Sequence, residues 1–502
     1  MSTDAEIVKL QNGSDVRGIA VAGVAGEEVN LFPETAQRIA KGFVQFLAKK
    51  TGKKAADLRI AVGHDSRISA ASLQDAVLTG LAQYGVTAFA CGLASTPAMF
   101  MSIVFPETHM DGSIMITASH LPYNRNGLKF FTKDGGLEKA DIKEVLQYAA
   151  SETAEAGTAQ AESLPIIDIY AADLCQKIRT ALGTAPDSKP LTGMHLVVDA
   201  GNGSGGFFAT KVLQPLGADT TGSQFLEPDG MFPNHIPNPE NKEAMAAIRQ
   251  AVLTNQADLG LIFDTDVDRM SAVLPDGSEI NRNALIAMIA AILAPSYPGS
   301  TIVTDSVTSD ELTEFLESEL HLVHHRYMRG YKNVIDECIR LNQAGVVSPL
   351  AIETSGHGAL KENYYLDDGA YLAVKLIIAA TKAKQAGKQI GDLISALKHP
   401  AESVEYRLKI TGTDNAKAYG DNVLAVYEER AVAAGIVVAK PSYEGVRLVF
   451  TNGWALLRMS LHDPNMPLNI ESKEVGGCAV IAKTVKGLLN GFAHLDTTSI
   501  PE

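Results

Sequence analysis

The residues best suited to chemistry lie in a loop that follows a short apolar run at residues 114–116. Residues 117–126 read TASHLPYNRN, so the run delivers Ser119 beside a histidine into a loop that contains a proline. A loop of this kind holds the serine hydroxyl at a fixed point above the edge of a sheet, and Lys129 brings an amine close to that point. Ser119 is therefore a candidate reacting hydroxyl, and a structural serine in a surface loop is the alternative interpretation.

A second segment far downstream carries three carboxylates at every second position. Asp264, Asp266 and Asp268 follow the apolar run at residues 259–262, which predicts a loop at a strand end that projects three hard oxygen ligands. Carboxylates combined with phosphate oxygens are the ligands that Mg²⁺ takes in proteins. A reacting serine and a magnesium loop together favour phosphoryl transfer.

Three other interpretations of the sequence are weaker than phosphoryl transfer, and the first of them fails. A calcium loop of the helix–loop–helix type requires Gly at its sixth position and Glu at its twelfth, where this chain has Arg269 and Pro275. A phosphatase with an aspartyl nucleophile also begins with a strand and Asp-x-Asp, but it leaves the serine loop unexplained. Residues 201–206 read GNGSGG and fit the G-x-G-x-x-G spacing of a dinucleotide site, but the acidic residue that such a site uses to bind the ribose is not evident.

The composition is that of an ordinary globular protein with several domains. A chain of 502 residues, 46% of them hydrophobic, exceeds what one hydrophobic core supports. Its 43 basic and 58 acidic residues give a net charge of −15, which argues against nucleic acid or a membrane as partner. An anionic substrate therefore requires a local basic pocket. Widely spaced cysteines and the lack of a secretory signal or membrane-length apolar run predict a cytoplasmic protein with reduced thiols.

Three pairs of strand-like runs recur before residue 400. In each pair a buried run leads into a loop of small polar residues, and the two members are roughly 50 to 65 residues apart. The pairs are residues 58–66 with 113–120, residues 196–203 with 259–266, and residues 301–306 with 349–357. Equivalent spacing in triplicate indicates a duplicated α/β unit, and the carboxyl ends of parallel strands are where such units bind ligands. The loops are therefore expected to converge on one cleft.

The pattern changes after residue 400, where an antiparallel α+β domain is predicted. Asn-Gly between two alternating runs is a strong hairpin signal. The predicted elements are a strand at residues 404–410, a helix at residues 421–434, and a hairpin formed by residues 445–450 and 454–460.

In the order of these motifs, the chain resembles the α-D-phosphohexomutase family, which includes phosphoglucomutases, phosphomannomutases and phosphoglucosamine mutases. Residues 117–120 are similar to the family's phosphoserine loop, residues 264–269 to its magnesium loop, and residues 353–357 to its sugar-recognition loop. The supporting segments are residues 14–18, 63–67, 95–97, 199–203 and 228–233. The resemblance covers nearly the whole chain.

The resemblance implies a four-domain, heart-shaped architecture with three similar α/β domains that contain mixed sheets and a C-terminal α+β domain. The implied domains are residues 1–165 with the phosphoserine loop, 166–280 with the metal loop, 281–400 with the sugar-recognition loop, and 401–502 with a phosphate-binding loop. This division agrees with the three repeated strand pairs.

The activity implied by the resemblance is that of an isomerase, a phosphomutase of carbohydrate metabolism. It interconverts hexose 1-phosphate and hexose 6-phosphate, of glucose or mannose, through a phosphoserine at Ser119 and a hexose 1,6-bisphosphate intermediate. The implied cofactors are one Mg²⁺ per chain, held by Ser119, Asp264, Asp266 and Asp268, and glucose 1,6-bisphosphate as activator.

The remaining roles implied by the resemblance fall on side chains around these loops. Lys129, His120 and His357 are candidates to take the proton of the sugar hydroxyl, with Lys129 and His357 favoured. Arg17 and Arg269 are expected to stabilise the transferring phosphoryl group. The expected substrate contacts are Glu353, Ser355, Tyr331 and Lys332 to the sugar, and Arg458, Ser460 and His462 to the non-reacting phosphate. Small-molecule sugar phosphates are the expected partners of a monomer or homodimer.

The chain departs from the family's pattern at several positions. Leu121 stands where the family usually has Asn, and His64 stands where Arg is common. The phosphate loop, rich in Ser, Asn, Gly and Thr in the family, reads RMSLHDP at residues 458–464, where like-charge repulsion requires Asp463 to point away from phosphate. Thr354 differs from the residues associated with either hexose or glucosamine specialists. These departures bear on substrate affinity and substrate choice more than on the chemistry.

Two alternatives remain open at this point. One is a phosphoglucosamine mutase, and the other is a non-catalytic relative that binds sugar phosphates. Retention of Ser119, the three aspartates, Lys129 and Arg269 argues against a pure binder, which has no need of the full set.

Overall fold

The structure is a computed structural model that describes residues 4–460 and 463–501. Its strands are β1 Gln11–Asn12, β2 Asp15–Ile19, β3 Arg59–His64, β4 Thr87–Leu93, β5 Gly112–Ile116, β6 Arg125–Thr132, β7 Gly135–Gly136, β8 Glu162–Ser163, β9 Leu196–Asp199, β10 Leu259–Phe263, β11 Met270–Val273, β12 Glu279–Ile280, β13 Thr301–Thr304, β14 Val323–Arg326, β15 Leu350–Ile352, β16 Gly358–Leu360, β17 Leu366–Asp367, β18 Glu402–Lys409, β19 Val437–Val438, β20 Val446–Phe450, β21 Gly453–Leu457 and β22 Asn465–Ser472.

Helices alternate with these strands through most of the chain. The α-helices are α1 Asp4–Val8, α2 Pro33–Thr51, α3 Ala70–Gln83, α4 Thr96–Val104, α5 Lys139–Ala150, α6 Ile166–Ala181, α7 Lys242–Asn255, α8 Arg282–Leu293, α9 Asp310–Glu314, α10 Tyr331–Gln343, α11 Gly369–Gln385, α12 Ala416–Ala433 and α13 Gly477–Leu488. Within the described ranges, no helix is both long enough and apolar enough to cross a membrane.

The chain divides into two compact units, and each unit is formed by two separate segments of the sequence. The first unit comprises residues 1–281 and 355–392, and the second comprises residues 282–354 and 393–502. The third predicted domain is therefore shared between the two units, with the division falling between Thr354 and Ser355.

The first unit contains two mixed sheets. One has the order β1-β2-β6-β5-β3-β4-β8, with β7 paired to β6, and the other has the order β12-β11-β10-β9. Helices α2, α3 and α5 cover the first sheet around an apolar core that includes Phe43, Leu47, Ile60 and Phe130. The second sheet buries Ile248 and Val252 of α7 against Val197 and Ile262.

The second unit contains a parallel three-strand arrangement and an antiparallel sheet. Strand β13 lies between β14 and β15 and runs parallel to both. The C-terminal sheet has the order β18-β22-β21-β20-β19, and α12 and α13 pack on it around Leu448, Leu457, Leu468 and Val485. The predicted antiparallel α+β domain is confirmed, including the hairpin of β20 and β21.

Each of the three strand pairs that the repeat predicted becomes two neighbouring parallel strands. Strand β3 pairs with β5, β9 pairs with β10, and β13 pairs with β15. All these strands except the ends of β3 are buried, as their continuous apolar sequences require in a parallel sheet that is covered on both faces. The loops after β5 and β10, which lie in the first unit, carry the predicted reacting residues.

Candidate active site

Ser119 has an unusual backbone conformation in the loop after β5. Its φ angle is 50°, in the left-handed region that residues other than glycine rarely adopt. The backbone N–H of Ser119 donates to the hydroxyl of Thr117 at 2.9 Å, and the Ser119 side chain is buried. The Ser119 Oγ lies 3.2 Å from Asp264 Oδ2, so the serine and aspartate loops meet although 145 residues separate them.

A single buried guanidinium, that of Arg67, binds the backbone of the serine loop. Its Nη2 donates to the carbonyl oxygens of Ser119 and Leu121 at 2.5 and 2.6 Å. Its Nη1 donates to those of Pro122 and Arg125 at 2.6 and 3.1 Å. Its Nε donates to Asp65 at 3.1 Å, so the buried charge is also paired. The rigid fork of donors fixes the path of the loop on both sides of Leu121.

Arg17 reaches the same loop from the neighbouring strand β2. Its Nη1 donates to the carbonyl oxygen of Thr117, and its Nη2 donates to Asp15 at 2.7 Å. Arg17 lies opposite Gly127 in the antiparallel pairing of β2 with β6. A Cβ at Gly127 would come within 2.1 Å of the Val16 carbonyl oxygen, so only glycine permits this approach.

The aspartate loop gathers three buried carboxylates at the end of β10. One oxygen of each of Asp264, Asp266 and Asp268 lies within 4.8 Å of the others. Val267 between them has a φ angle of 68°, which is rare for a β-branched residue and persists only where the surroundings fix it. Gly369 N–H supplies part of that fixation by donating to the Val267 carbonyl oxygen at 3.1 Å. Burial and the neighbouring carboxylates raise the pKa of Asp264 well above its usual range.

Lys129 on β6 partly neutralises this group of carboxylates. Its Nζ donates to Asp266 Oδ2 at 3.0 Å and to Asp268 Oδ2. The amine therefore lies against the aspartates, and the two carboxylates hold it as a charged ammonium group.

The donor set fits a divalent cation. The Oδ1 atoms of Asp266 and Asp268 are buried, and neither has a hydrogen-bond donor among the described residues. A buried carboxylate oxygen without a partner costs free energy, which a cation would offset. Three carboxylate oxygens within 4.8 Å of one another match the hard oxygen ligands of Mg²⁺.

Arg269 contacts both Ser119 and the adjacent His120. Its Nη2 donates to Ser119 Oγ at 3.2 Å and to His120 Nδ1 at 2.8 Å. The charge of Arg269, together with burial, lowers the pKa of His120 to about 2. His120 is therefore neutral and already accepts a hydrogen bond at Nδ1, which makes it the least suited of the three candidate bases.

His357 lies beside the aspartate loop with a carboxylate behind it. Its Nδ1 is 2.6 Å from Asp367 Oδ2 and 3.8 Å from Asp268 Oδ1. Burial lowers the pKa of His357 more than any other single effect, but the attraction of the Asp367 and Asp268 carboxylates and the hydrogen bond to Asp367 together outweigh it, so the net shift is upward. A carboxylate on one ring nitrogen orients the imidazole and sets its tautomer. Ser355 lies in the same unit and is buried.

The second unit carries the remaining residues of the predicted sugar-recognition loop. Glu353 Oε1 accepts the backbone N–H of Gly330 at 2.5 Å. Thr354 donates its hydroxyl to the buried Asp305 at 2.6 Å. Thr354 therefore points into the interior of its own unit and acts on the loop by fixing it. Tyr331 begins helix α10, and Lys332 pairs with Asp336 at 2.8 Å.

The predicted phosphate loop also belongs to the second unit. Arg458 is buried, its Nε has no hydrogen-bond acceptor among the described residues, and its Nη1 lies 3.6 Å from Glu444 Oε1. Ser460 Oγ accepts the backbone N–H of Asp463 at 3.2 Å. A buried guanidinium with an unused donor is suited to an anion. His462 lies outside the described residues.

Several residues that build the site have no role in the sequence-based prediction. Arg67 and Thr96 fall within the segments at residues 63–67 and 95–97 that carry the family resemblance, but the sequence assigns neither a partner. Thr96 donates its hydroxyl to Asp266, and Asp367 binds His357. The two segments were the available signal for Arg67 and Thr96, and no such signal pointed to Asp367. Partners 10 to 170 residues away along the chain cannot be identified from the sequence.

Family models match most of the chain. The models described as phosphoglucomutase/phosphomannomutase, alpha/beta/alpha domains I, II and III, match residues 9–156, 170–277 and 281–399. They follow one another in the order expected for this family.

Relatives match over nearly the full length. The phosphomannomutase/phosphoglucomutase of Pseudomonas putida is 28% identical over 91% of this chain and 91% of its own. A phosphoglucosamine mutase of Ligilactobacillus salivarius is 29% identical over 84% of this chain and 90% of its own. A solved phosphoglucomutase/phosphomannomutase family protein from Burkholderia thailandensis shares the fold with a TM-score of 0.79 at 24% identity, over 98% of both chains. Consecutive family models and relatives of matching length place this chain in the α-D-phosphohexomutase family.

Proposed function

We propose that this chain is a phosphohexomutase that interconverts the 1-phosphate and 6-phosphate of glucose or mannose. The observation that carries the proposal is the position of the Ser119 hydroxyl, 3.2 Å from Asp264 Oδ2 and 3.2 Å from Arg269 Nη2. A nucleophile, a carboxylate cluster that fits a cation and a guanidinium at one point are the parts that phosphoryl transfer requires.

Ser119 carries the phosphoryl group in this proposal. The phosphoserine donates it to a hydroxyl of the sugar monophosphate, which breaks the Ser119 Oγ–P bond and forms a hexose 1,6-bisphosphate. After the bisphosphate turns round, its other phosphoryl group returns to Ser119, and the product is the isomeric monophosphate. Glucose 1,6-bisphosphate is accordingly the activator that charges an unphosphorylated chain.

Asp264, Asp266 and Asp268 hold one Mg²⁺ in this proposal, with a serine or phosphoserine oxygen as a further ligand. When bound, the cation neutralises negative charge on the phosphoryl group during transfer. Lys129 and Arg269 add permanent positive charge at the same point, and with the cation bound the positive charges there exceed the negative charges of the three aspartates, so a chain with a net charge of −15 still offers a locally positive site to an anionic substrate.

His357 is the favoured general base. Lys129 is a weaker candidate because its ammonium group donates to Asp266 and Asp268. His120 is a weaker candidate because its Nδ1 already accepts a hydrogen bond from Arg269. His357 has the Asp367 carboxylate at Nδ1, which stabilises the imidazolium that forms when the ring takes the proton of the sugar hydroxyl. In the same step Ser119 Oγ takes up a proton as the leaving oxygen. When the other phosphoryl group returns to Ser119, the serine hydroxyl gives up its proton and the leaving sugar oxygen takes one up.

In this proposal, Glu353 and Ser355 bind sugar hydroxyls, and Tyr331 and Lys332 are further contacts to the sugar. Arg458, Ser460 and His462 bind the non-reacting phosphate. The unused donor of buried Arg458 supports this assignment. We also propose that the protein is cytoplasmic, since its four cysteines are widely spaced and show no disulfide or metal-binding pattern, and that it is a monomer or homodimer.

The test is a comparison of kcat/KM for the 1-phosphates of glucose, mannose and glucosamine with glucose 1,6-bisphosphate present. We expect glucose or mannose to be preferred. A preference for glucosamine 1-phosphate would instead favour the activity named for the Ligilactobacillus relative. Ser119→Ala is expected to lower kcat by roughly a thousandfold or more, because it removes the nucleophile.

Transfer of label provides the matching direct measurement. Labelled bisphosphate should transfer its labelled phosphoryl group to Ser119 of the native chain. The Ser119→Ala variant should take up no label. A native chain that binds bisphosphate but takes up no label would be a binding protein, and the mutase proposal would be wrong.

A further inference from the structure

The carboxylate of Asp266 has hydrogen-bond donors on only one of its two oxygens. Its Oδ2 accepts the hydroxyl proton of Thr96 and a proton of Lys129 Nζ. Its Oδ1 is buried and has no donor among the described residues. The two oxygens of one carboxylate thus differ in kind, with Oδ2 saturated and Oδ1 open.

Thr96 is fixed by contacts that do not depend on its hydroxyl. It is the first residue of α4, whose N-cap Ser95 accepts the Ala98 backbone N–H at 3.3 Å. Pro97 follows in the first turn, where its restricted φ angle suits the start of a helix. The backbone N–H of Thr96 also donates to the Asp266 carbonyl oxygen at 2.8 Å. The hydroxyl therefore approaches Asp266 from a rigid position.

Thr96 and Lys129 act differently on the same oxygen. Lys129 carries a positive charge, is shared with Asp268, and would repel a cation bound nearby. The Thr96 hydroxyl is neutral, so it orients the carboxylate without opposing the cation.

We propose that Thr96 is a positioning residue for the metal ligand Asp266. By holding Oδ2, it leaves Oδ1 to face the divalent cation, and it does so across 170 residues of sequence. The inference rests on the proposed function, which assigns a cation to Asp264, Asp266 and Asp268. Partners of this kind typically change metal affinity by about 10- to 100-fold when they are removed.

Thr96→Val tests the inference because it replaces the hydroxyl by a methyl group of similar size. The dissociation constant of Mn²⁺ or Mg²⁺ is measured by calorimetry on the full-length, dephosphorylated chain, without substrate. We expect Thr96→Val to weaken binding by about 10- to 100-fold. Thr96→Ser keeps the hydroxyl and is expected to restore most of the affinity.

Thr381→Val is the matched control. Thr381 lies in α11, its side chain is buried, and its hydroxyl donates to the Ile377 carbonyl oxygen at 2.8 Å and to no proposed metal ligand. The same change of atoms is therefore expected to leave cation affinity close to that of the native chain.

The outcomes separate the two proposals. A native chain that binds neither cation would overturn the metal assignment and the role of Thr96 with it. A native chain that binds, with Thr96→Val binding as tightly, would overturn the role of Thr96 alone. Urea unfolding of the metal-free proteins checks the fold, and Thr96→Ala, which also lacks the hydroxyl, replaces Thr96→Val if that variant is unfolded. A purely structural role would shift the unfolding midpoint and leave the dissociation constant unchanged.

Discussion

Four carbonyl oxygens of the serine loop converge on the guanidinium of Arg67. The terminal nitrogens of Arg67 lie within 3.1 Å of all four oxygens, which belong to Ser119, Leu121, Pro122 and Arg125. A lysine offers three donors on a single nitrogen and lacks the fork that reaches acceptors in two directions. The left-handed conformation of Ser119 is costly in isolation, so the loop depends on these bonds to keep the hydroxyl aimed at Asp264.

Arg67→Lys is therefore expected to impair transfer more than substrate binding. A displacement of the nucleophile by about 1 Å costs on the order of 100-fold in rate, so kcat should fall by about that factor while KM changes little. The measurement is steady-state kinetics, with uptake of label by Ser119 as a second readout.

Arg125→Lys provides the comparison for Arg67. Arg125 belongs to the same loop, but its side chain is partly exposed and pairs with Glu27 at 2.6 Å. Its substitution should leave kcat near the native value. Equal kcat values for the two lysine variants would contradict the role assigned to Arg67.

The sequence was sufficient to find residues whose type and spacing indicate their chemical role. It was not sufficient to find residues whose role depends on the partner that they bind in the folded chain. Ser119 beside a histidine, and three aspartates at alternate positions, indicate nucleophile and ligands by type and spacing alone. Arg67 and Thr96 matter because the fold brings particular carbonyl and carboxylate oxygens to them. Those oxygens lie 52 or more residues away along the chain.

Among the structural elements, the strand pairs were predictable because their physical requirements are local. A buried parallel strand needs a continuous apolar run, and the following loop needs small polar residues. Every predicted pair became a pair of neighbouring parallel strands. The strands after Thr354 could not be predicted from the sequence, because β16 and β17 are only three and two residues long. Their segment is held by backbone hydrogen bonds to the aspartate loop and to the start of α11.

The C-terminal sheet contains a carboxyl group whose environment favours its neutral form. Glu471 on β22 is buried and accepts the indole N–H of Trp454 at 3.1 Å. Burial, with repulsion from Glu311, raises the pKa of Glu471 from 4.5 to about 7. Between these values the folded chain holds a proton that the unfolded chain has released. The free energy of unfolding therefore falls as pH rises through this window, by up to about 3 kcal/mol.

Glu471→Gln is expected to remove this dependence, since the amide keeps an acceptor for Trp454 and cannot ionise. Urea unfolding between pH 4.5 and pH 7 is followed by tryptophan fluorescence, which reports on this sheet because Trp454 is the only tryptophan of the chain. The variant should show a flatter profile and greater stability than the native chain at pH 7.

Glu402→Gln is the control for the titration. Glu402 accepts the backbone N–H groups of Gly476 and Cys478, and these bonds lower its pKa. Its contribution to stability is lost only below its ordinary value of 4.5. The slope between pH 4.5 and pH 7 should therefore persist in this variant, and an unchanged slope in Glu471→Gln would contradict the assignment.

For the whole molecule, the interrupted course of the chain is what the sequence least indicates. The boundaries at residues 165, 280 and 400, which the family resemblance implies, stay a prediction, whereas residues 282–354 belong to the second compact unit and residues 355–392 to the first. Helix α11 belongs to the first unit although residues 282–354 separate it from the strands that it covers. Asp368 at its start accepts the hydroxyl proton of Tyr170 at 2.6 Å, and Lys384 near its end pairs with Asp258 at 2.6 Å.

Because each unit is formed by two separate segments, some fragments of the chain should fold by themselves and others should not. A fragment of residues 1–281 lacks α11, so it leaves the apolar faces of β10 and β11 uncovered, and Gly369 no longer binds the aspartate loop. We expect the fragment of residues 1–281 to aggregate or to unfold without cooperativity.

A fragment of residues 393–502 keeps a complete core, from Leu408 to Ile500, and should fold by itself. Trp454 loses its contact with Val307 in that fragment, so its emission should shift to the red. Circular dichroism and urea unfolding check both, and cooperative unfolding of residues 1–281 would show that α11 is not needed for the first unit.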